Sequence, residues 1–550
     1  MRLFLSNGKR KRLGGGHVAF QFAAALLLAA SPALASGNWP QDEVTRNFDR
    51  TLTLGAGQSV RIEHKFGEVK VHGESGRDVK ISAVIRAQAS SHEEAESFAQ
   101  KIQIEVHQTD QGVSIRTIYP PEENGWFHSS KHSSWSVSYD IAIPTDTPLN
   151  IRNSFGSVNV ARVHGPVEVE NGYGSVTVQD AGPAHLNNSF GSIELTGAAG
   201  NAVINDKNSS VQVSDVKGTL EVQDRFGSIT ARNVQGAATI SGGNGAVTLT
   251  DAGSANITTS FGSVNAQNIR GDLSIHDNNG NVDFSTIGGS ADIIDSFGNV
   301  TFSGVKGRVN CTSNNGRITA SALTGTSVTI RDSFGNLDLE NVSGSLDAET
   351  SNGKITVRDV RGSVTLKSSF GAIEATNVPK GIRAITGNGA ITLTDIGADA
   401  YAKTSFGSIL AERINGNLTA EDSNGSVTAR IVKGDAGVTT SFSGVTLESI
   451  GGSIRVDNQN GGISVIAVRP TSGCHDISLK TSFSSIRVRI PENVGYNVSA
   501  RTSFGRVSSE LPVTATGNIG GDSLNGTIGG GGCQLQVTDS NGSIEIAKAP

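Results

Sequence analysis

Cysteine is nearly missing from this chain of 550 residues. Cys311, Cys474 and Cys533 are its three thiols, too few for a disulfide framework to replace a hydrophobic core. Cys474 and Cys533 lie in irregular stretches and can pair in an oxidising compartment, whereas Cys311 falls where neighbouring repeats carry Ala, Ile or Val and reads as a small core residue. Proline (13), tryptophan (3) and methionine (1) are scarce, and only 17% of residues are charged, a balance that suits a turn-rich β protein better than a helical one. No stretch after residue 36 is apolar over the ~20 residues a spanning helix needs, so no integral membrane segment is expected after leader cleavage. A strong excess of either charge is also missing. Acidic residues modestly exceed basic ones, which excludes the basic surface a nucleic-acid partner would require.

What is present begins with a leader. Lys9, Arg10, Lys11 and Arg12 precede an apolar stretch from Val18 to Ala30, and Ala33 and Ala35 offer small residues before a cut at Ser36. Residues 1–35 therefore read as a signal peptide. Its removal takes away five basic residues and leaves 40 basic against 51 acidic, a formal charge of −11. Export to the periplasm, the cell surface or the medium is expected.

The remainder is repetitive. A column of "[Phe/Asn]-Gly-Ser-[Val/Ile]" runs through Phe155, Tyr173, Phe190, Asn208, Phe226, Asn244, Phe261, Asn279, Phe297, Asn315, Phe334, Asn352, Phe370, Asn388, Phe406, Asn424, Phe442 and Asn460. Seventeen intervals cover 305 residues, a mean of 17.9. Within a unit, Ile409 and Ala411 alternate with polar neighbours, a turn follows at Asn415 and Gly416, and Leu418 and Ala420 alternate again. Two short strands per unit leave no room for a helical crossover, and stacked units bury their apolar faces on each other. The fold class is all-β, a parallel β-solenoid of about 18-residue coils. Rungs ~4.8 Å apart give the regular coils a rod roughly 80 Å long.

Four regions follow: the leader, 1–35; an N-terminal β segment and cap, 36–150; the regular solenoid, 151–464; and irregular C-terminal coils with a cap, 465–550. The second contains one coil-like match at Phe66 and the helical stretch "SSHEEAESFAQKI", with Ser90 or Ser91 as N-cap. In the last, the column spacing stretches to 23, 21 and 21 residues, at Phe483, Phe504 and Asn525.

Two readings of the aromatic column compete. Strand parity through Leu418, Ala420, Asp422 and Asn424 points it inward, so that rings plug a corner of the core on alternate rungs. The other reading is an outward row of rings about 10 Å apart, suited to stacking on sugar faces. On that reading Phe226, Phe261, Phe297, Phe334, Phe370 and Phe406 are candidate binding residues. Trp126 and Trp135, in the aromatic loop "GWFHSSKHSSWSVSY", join them as ring contacts at a hairpin tip. Two residues before the column stand short acceptors such as Asn153, Asp224, Thr350 and Asp422, which hold turn N–H groups, while the Gly after it is expected to supply a positive φ.

The motifs "SFGSVNVARVHGPVEVENGYGSVTVQD", "SNGKITVRDVRGSVTLKSSFGAIEATNV" and "DSNGSIEI" resemble the repeats of the bacterial putative-adhesin family of exported β-solenoid proteins. The resemblance covers about residues 50–550. It implies an envelope or surface protein with no known catalytic site.

Catalytic β-helices need clustered carboxylates with a basic residue or a cation. Asp206 with Asp224, and Asp277 with Asp295, are each 18 apart and should meet on consecutive rungs, where they offer oxygens to Ca²⁺. No Lys, Arg or His cluster accompanies either pair, and the same column is Thr or Ser elsewhere, so neither a catalytic nor a metal site is assigned. No Gly-rich phosphate loop or Ser/His/Asp set is present either, and no cofactor is expected. The sequence therefore reads as an exported, non-enzymatic, adhesin-like or envelope-scaffold rod whose partner is a glycan or an envelope surface. A carbohydrate-binding or carbohydrate-active protein on the same fold is the alternative.

Overall fold

The computed structural model describes residues 42–120, 133–466, 473–516 and 520–549. The leader 1–35 and the loop residues Trp126, Phe127, His128 and His132 lie outside the described residues.

Among the described residues, 49 strands join into one continuous sheet system with a single helix. One coil shows how. Ile409–Ile414 buries Ile409, Ala411 and Ile414, and Leu418–Glu421 buries Leu418 and Ala420. A lone coil has nothing to cover these side chains. Parallel pairing supplies the cover, because Ile409 aligns with Ile391 below and Val427 above, and Leu418 with Ala400 and Ala436. Each neighbour is 18 residues away, so the β-solenoid and its period are as expected. Cys311 is fully buried in its column, between Ile293 and Ile330.

Alternation alone does not account for the first strand of the coil. After Ile409 and Ala411 parity would bury Arg413, yet Arg413 is exposed and Ile414 is buried. The cause is a left-handed residue at that position in coil after coil: Arg413 has φ 57°, Asp395 57°, Asn377 58° and even Ile431 58°. A single αL residue rotates the chain so that the next side chain falls inward. Nine of the fifteen non-Gly members of this column are Asp or Asn, Gly197 and Gly304 belong to it as well, and Arg, Thr, Ser, Ala and Ile fill the rest, so its composition signal is an Asx preference diluted by residues that adopt the same backbone angle at a cost.

The Gly after the ring column has a different role from the one expected. Its φ is between 120° and 145° in early coils such as Gly156 (131°) and at Gly316 (142°), but most later members are not in that region. There the constraint is closeness. A Cβ on Gly298 or Gly335 would sit 1.6 Å from the carbonyl oxygen of the equivalent Gly one rung below.

Both ends depart from chain order. At the start, β1 (Asp42–Thr53), β2 (Ser59–Phe66), β3 (Val69–Glu74) and β4 (Asp78–Ala89) lead to α1 (His92–Lys101). Then come β5 (Gln103–Thr109), β6 (Gly112–Ile118), β7 (Ser134–Pro144), β8 (Leu149–Phe155) and β9 (Val158–Val163). The coil β2–β3 lies directly beneath β8–β9, and the later pair β6–β7 is laid beneath β2–β3, all in parallel. Antiparallel strands cover this lowest coil, with β5 on β6, β4 on β7 and β1 on β4. Ser91 caps α1, accepting the Glu94 N–H at 3.3 Å.

At the other end, the strands Ile477–Lys480 and Ile486–Ile490 are followed in space by the last strands of the chain, Cys533–Thr538 and Ile544–Lys548. The intervening Tyr496–Arg501 and Val507–Ser509 stack outside those. The terminal coil is thus inserted between two coils made earlier. A Cys474–Cys533 disulfide pins its first residue.

Candidate functional site

The ring column faces outward. Phe226 and Phe261 are each 59% exposed, Phe334 63% and Phe406 66%, so the inward reading that strand parity suggested is wrong. The residue two positions earlier explains why. Asp224, Thr350 and Asp422 are buried and end the strand, and their side chains accept N–H groups of the turn: Phe226 N–H on Asp224 Oδ1 at 3.2 Å, Gly353 N–H on Thr350 Oγ1 at 3.3 Å. These bonds turn the backbone tightly enough to throw the column residue into solvent.

The six ring candidates Phe226, Phe261, Phe297, Phe334, Phe370 and Phe406 therefore share one edge of the rod, and Phe442, Phe483 and Phe504 extend it. Direct pairing of Asn279 with Phe297 and of Phe297 with Asn315 shows that rings and amides take turns on successive rungs. The amides are structural. Asn352, Asn424 and Asn460 each donate to the carbonyl of the Ser preceding the ring one rung below, at 3.0–3.3 Å.

The alternation is kept in space where it fails in sequence. Along the chain Phe483 is followed by Phe504, but the inserted terminal coil places Asn541 between them. Its amide donates to Ser482 O at 2.9 Å, and Phe504 N–H reaches Ser540 O at 2.9 Å. Asn525, assigned to the column by spacing, is instead in an antiparallel strand, Ser523–Ile528. Motif spacing could not reveal a coil inserted out of order.

At the N-terminal end the row changes character. Phe66, Phe155, Tyr173 and Phe190 occupy consecutive rungs with no amide between them, and their ring centroids stand 5.3, 4.9 and 4.7 Å apart. The rings lie nearly parallel, at 15°, 4° and 4°, and Tyr119 closes the lower end edge-on to Phe66. Beside this stack runs a groove whose lining includes Glu63, Arg152, Glu170, Asn187 and Asn205. Beneath it Asn153 donates to Asn171, and Asn171 to Asn188, as an amide ladder.

Trp135 is not at a hairpin tip. It lies within β7, paired with Ala87, and its ring stacks on Phe98 of α1 with centroids 5.6 Å apart. It holds the helix in place. Trp126, the other loop candidate, lies outside the described residues.

The two aspartate pairs do meet, Asp206 against Asp224 and Asp277 against Asp295. All four are buried behind the ring row. Burial pushes Asp206 and Asp277 up to about 6, and Asp295 to about 7 with help from the charge of Asp277. Asp277 is fully buried, and the turn N–H groups of Asn278 and Asn279 compensate its charge too weakly to offset that burial. Among the described residues, no three or more His, Cys, Asp or Glu converge as a metal-ligand set.

Comparison with known proteins adds little. No family model matches the chain, and no curated protein matches it. Similar solved structures include two whose descriptions name adhesion. One, described as "a putative cell adhesion protein" from Clostridium sporogenes, has 12% identity over 42% of this chain and 100% of that chain, with a TM-score of 0.20. The other, "putative adhesin from Parabacteroides distasonis", has 9% identity over 68% and 97%, with a TM-score of 0.13. Scores this low bear on neither fold nor function.

Proposed function

We propose that this chain is a non-catalytic, adhesin-like rod that acts outside the cytoplasm and makes its contacts through the aromatic row. The exposure of that row carries the reading. Large apolar side chains aligned along one edge of a folded protein mark an interaction surface, since scattered exposure would leave no file. The Cys474–Cys533 disulfide supports an oxidising compartment, as does the leader read at residues 1–35. The repeat motifs, through their resemblance to adhesin repeats, point the same way.

A second reading is a glycan laid along the row, favoured by rings two rungs apart with Ser and Asn between them. Protease treatment of intact cells tests the primary reading, with the chain followed by antibody and a periplasmic marker as control. Digestion with the marker spared is expected. Protection until the envelope is opened would remove the adhesin-like role and leave an internal scaffold.

A further inference from the structure

We infer that the partner of the aromatic row is a second copy of this chain, packed antiparallel so that the rings of each rod fill the amide gaps of the other. The inference rests on the reading above, that the row is a contact surface, and names what it contacts.

Three observations lead to it. The first is period. From Phe226 to Phe504 rings recur every second rung, ~10 Å apart, leaving a gap one ring deep at each Asn. The molecule itself shows what fits such a gap, because at its N-terminal end rings on every rung stack at 4.7–4.9 Å and 4°. A second row shifted by one rung would reproduce that stack between two rods.

The second is symmetry. A two-fold axis along the rod sets ring opposite ring and leaves the gaps empty. An axis perpendicular to the rod, passing midway between a ring rung and an amide rung, sends every ring to a gap, and the interface closes as a dimer. Only an unbroken alternation allows this, and the inserted coil carrying Asn541 keeps it unbroken between Phe483 and Phe504. With the axis beside Phe370, the gaps at Asn352 and Asn388 lie at the centre.

The third is area. Nine rings from Phe226 to Phe504 are each 57–81% exposed. At ~200 Å² a ring this is roughly 1,000 Å² per rod, above the ~800 Å² per partner of a standard interface. The gapless stack from Phe66 to Phe190 cannot take part, so it and its groove project free at both ends of the dimer.

Sedimentation of the purified protein tests this. Twice the monomer mass is expected at micromolar concentration, falling to monomer for Phe334→Ser with Phe370→Ser and Phe406→Ser at an unchanged far-UV spectrum. Of Asn388→Cys and Asn352→Cys, the one that shares the axis with Phe370 should cross-link into a disulfide dimer, whereas Asn244→Cys, far from the axis, should not. Cross-linking at Asn244 as well would mean a parallel arrangement and overturn the proposal, as would a monomeric wild type. If the wild type is monomeric but the triple variant loses binding to cells or to a glycan array, the contact reading stands and the second copy is not the partner. If the variant changes neither mass nor binding, both fall.

Discussion

At the scale of single residues, the buried column behind the rings makes the sharpest claims. In the folded rod Asp277 sits near 6 and Asp295 near 7, against 3.8 when unfolded, because burial penalises their charged forms. A carboxyl whose folded pKa is raised gives its full stability below pH ~3.8 and loses it as pH rises through 6–7. Protection factors of the neighbouring strands, which divide out the pH dependence of intrinsic exchange, should therefore be larger at pH 5 than at pH 8. Asp277→Asn with Asp295→Asn should remove that difference and stabilise the segment at pH 8 by about 1–3 kcal/mol, since two buried charges that their few hydrogen bonds compensate poorly disappear. Asn458 already shows that an amide fits this column, donating to Ser443 O at 2.9 Å and accepting from Gly461 N–H at 3.2 Å. An unchanged pH profile would show that these carboxyls stay ionised in the fold. His64 has the opposite sign. Burial lowers it to about 4, so the lowest coils should loosen as pH falls below 6.5.

Ile431 offers a second residue-level test. A β-branched, half-exposed side chain at φ 58° is strained, and Asn occupies the same position at Asn233, Asn341 and Asn377. Ile431→Asn should raise stability by about 1 kcal/mol in urea denaturation. A loss of that size would mean that Ile431 packs favourably enough to outweigh its backbone. The sequence carried a trace of this column, Asp or Asn at nine of its fifteen non-Gly members, but Arg413, Ile431 and Ala322 at the same position blur it.

At the scale of elements, the coils were legible because two strands of period two, closed by Gly-containing turns every 18 residues, have one stacking solution. Their order at the ends was not. Nothing in "DSNGSIEI" says that it enters between two earlier coils, and nothing near Phe66 says that β6 and β7 will be laid beneath it. The direction of the rings was misread for a related reason, since parity applies within a strand and fails across a turn tied by Asp224 or Thr350. The inserted coil has its own consequence. The disulfide closes a 59-residue separation, which corresponds to about 4 kcal/mol of chain entropy. Cys474→Ser should release the coil, seen as faster hydrogen exchange at Cys533–Thr538 with the central coils unaffected. Uniform destabilisation of the whole rod would contradict a local role.

At the scale of the whole molecule, the rod is a ruler. Its rungs set the spacing of one exposed row, its core carries no part of that row, and rings can therefore be removed without loss of the fold. Phe261→Ala with Phe297→Ala should leave the far-UV spectrum intact and, at concentrations where the rod is monomeric, shift stability by no more than about 0.5 kcal/mol, as for other exposed positions. The measurement that bears most directly on the account is adherence: binding of the purified protein to cells that display this same chain, compared with a variant in which Phe226, Phe261, Phe297, Phe334, Phe370 and Phe406 are all changed to Ser. Binding lost from a folded variant is the predicted result. Full binding by the ringless rod would contradict the claim that this edge is the contact surface.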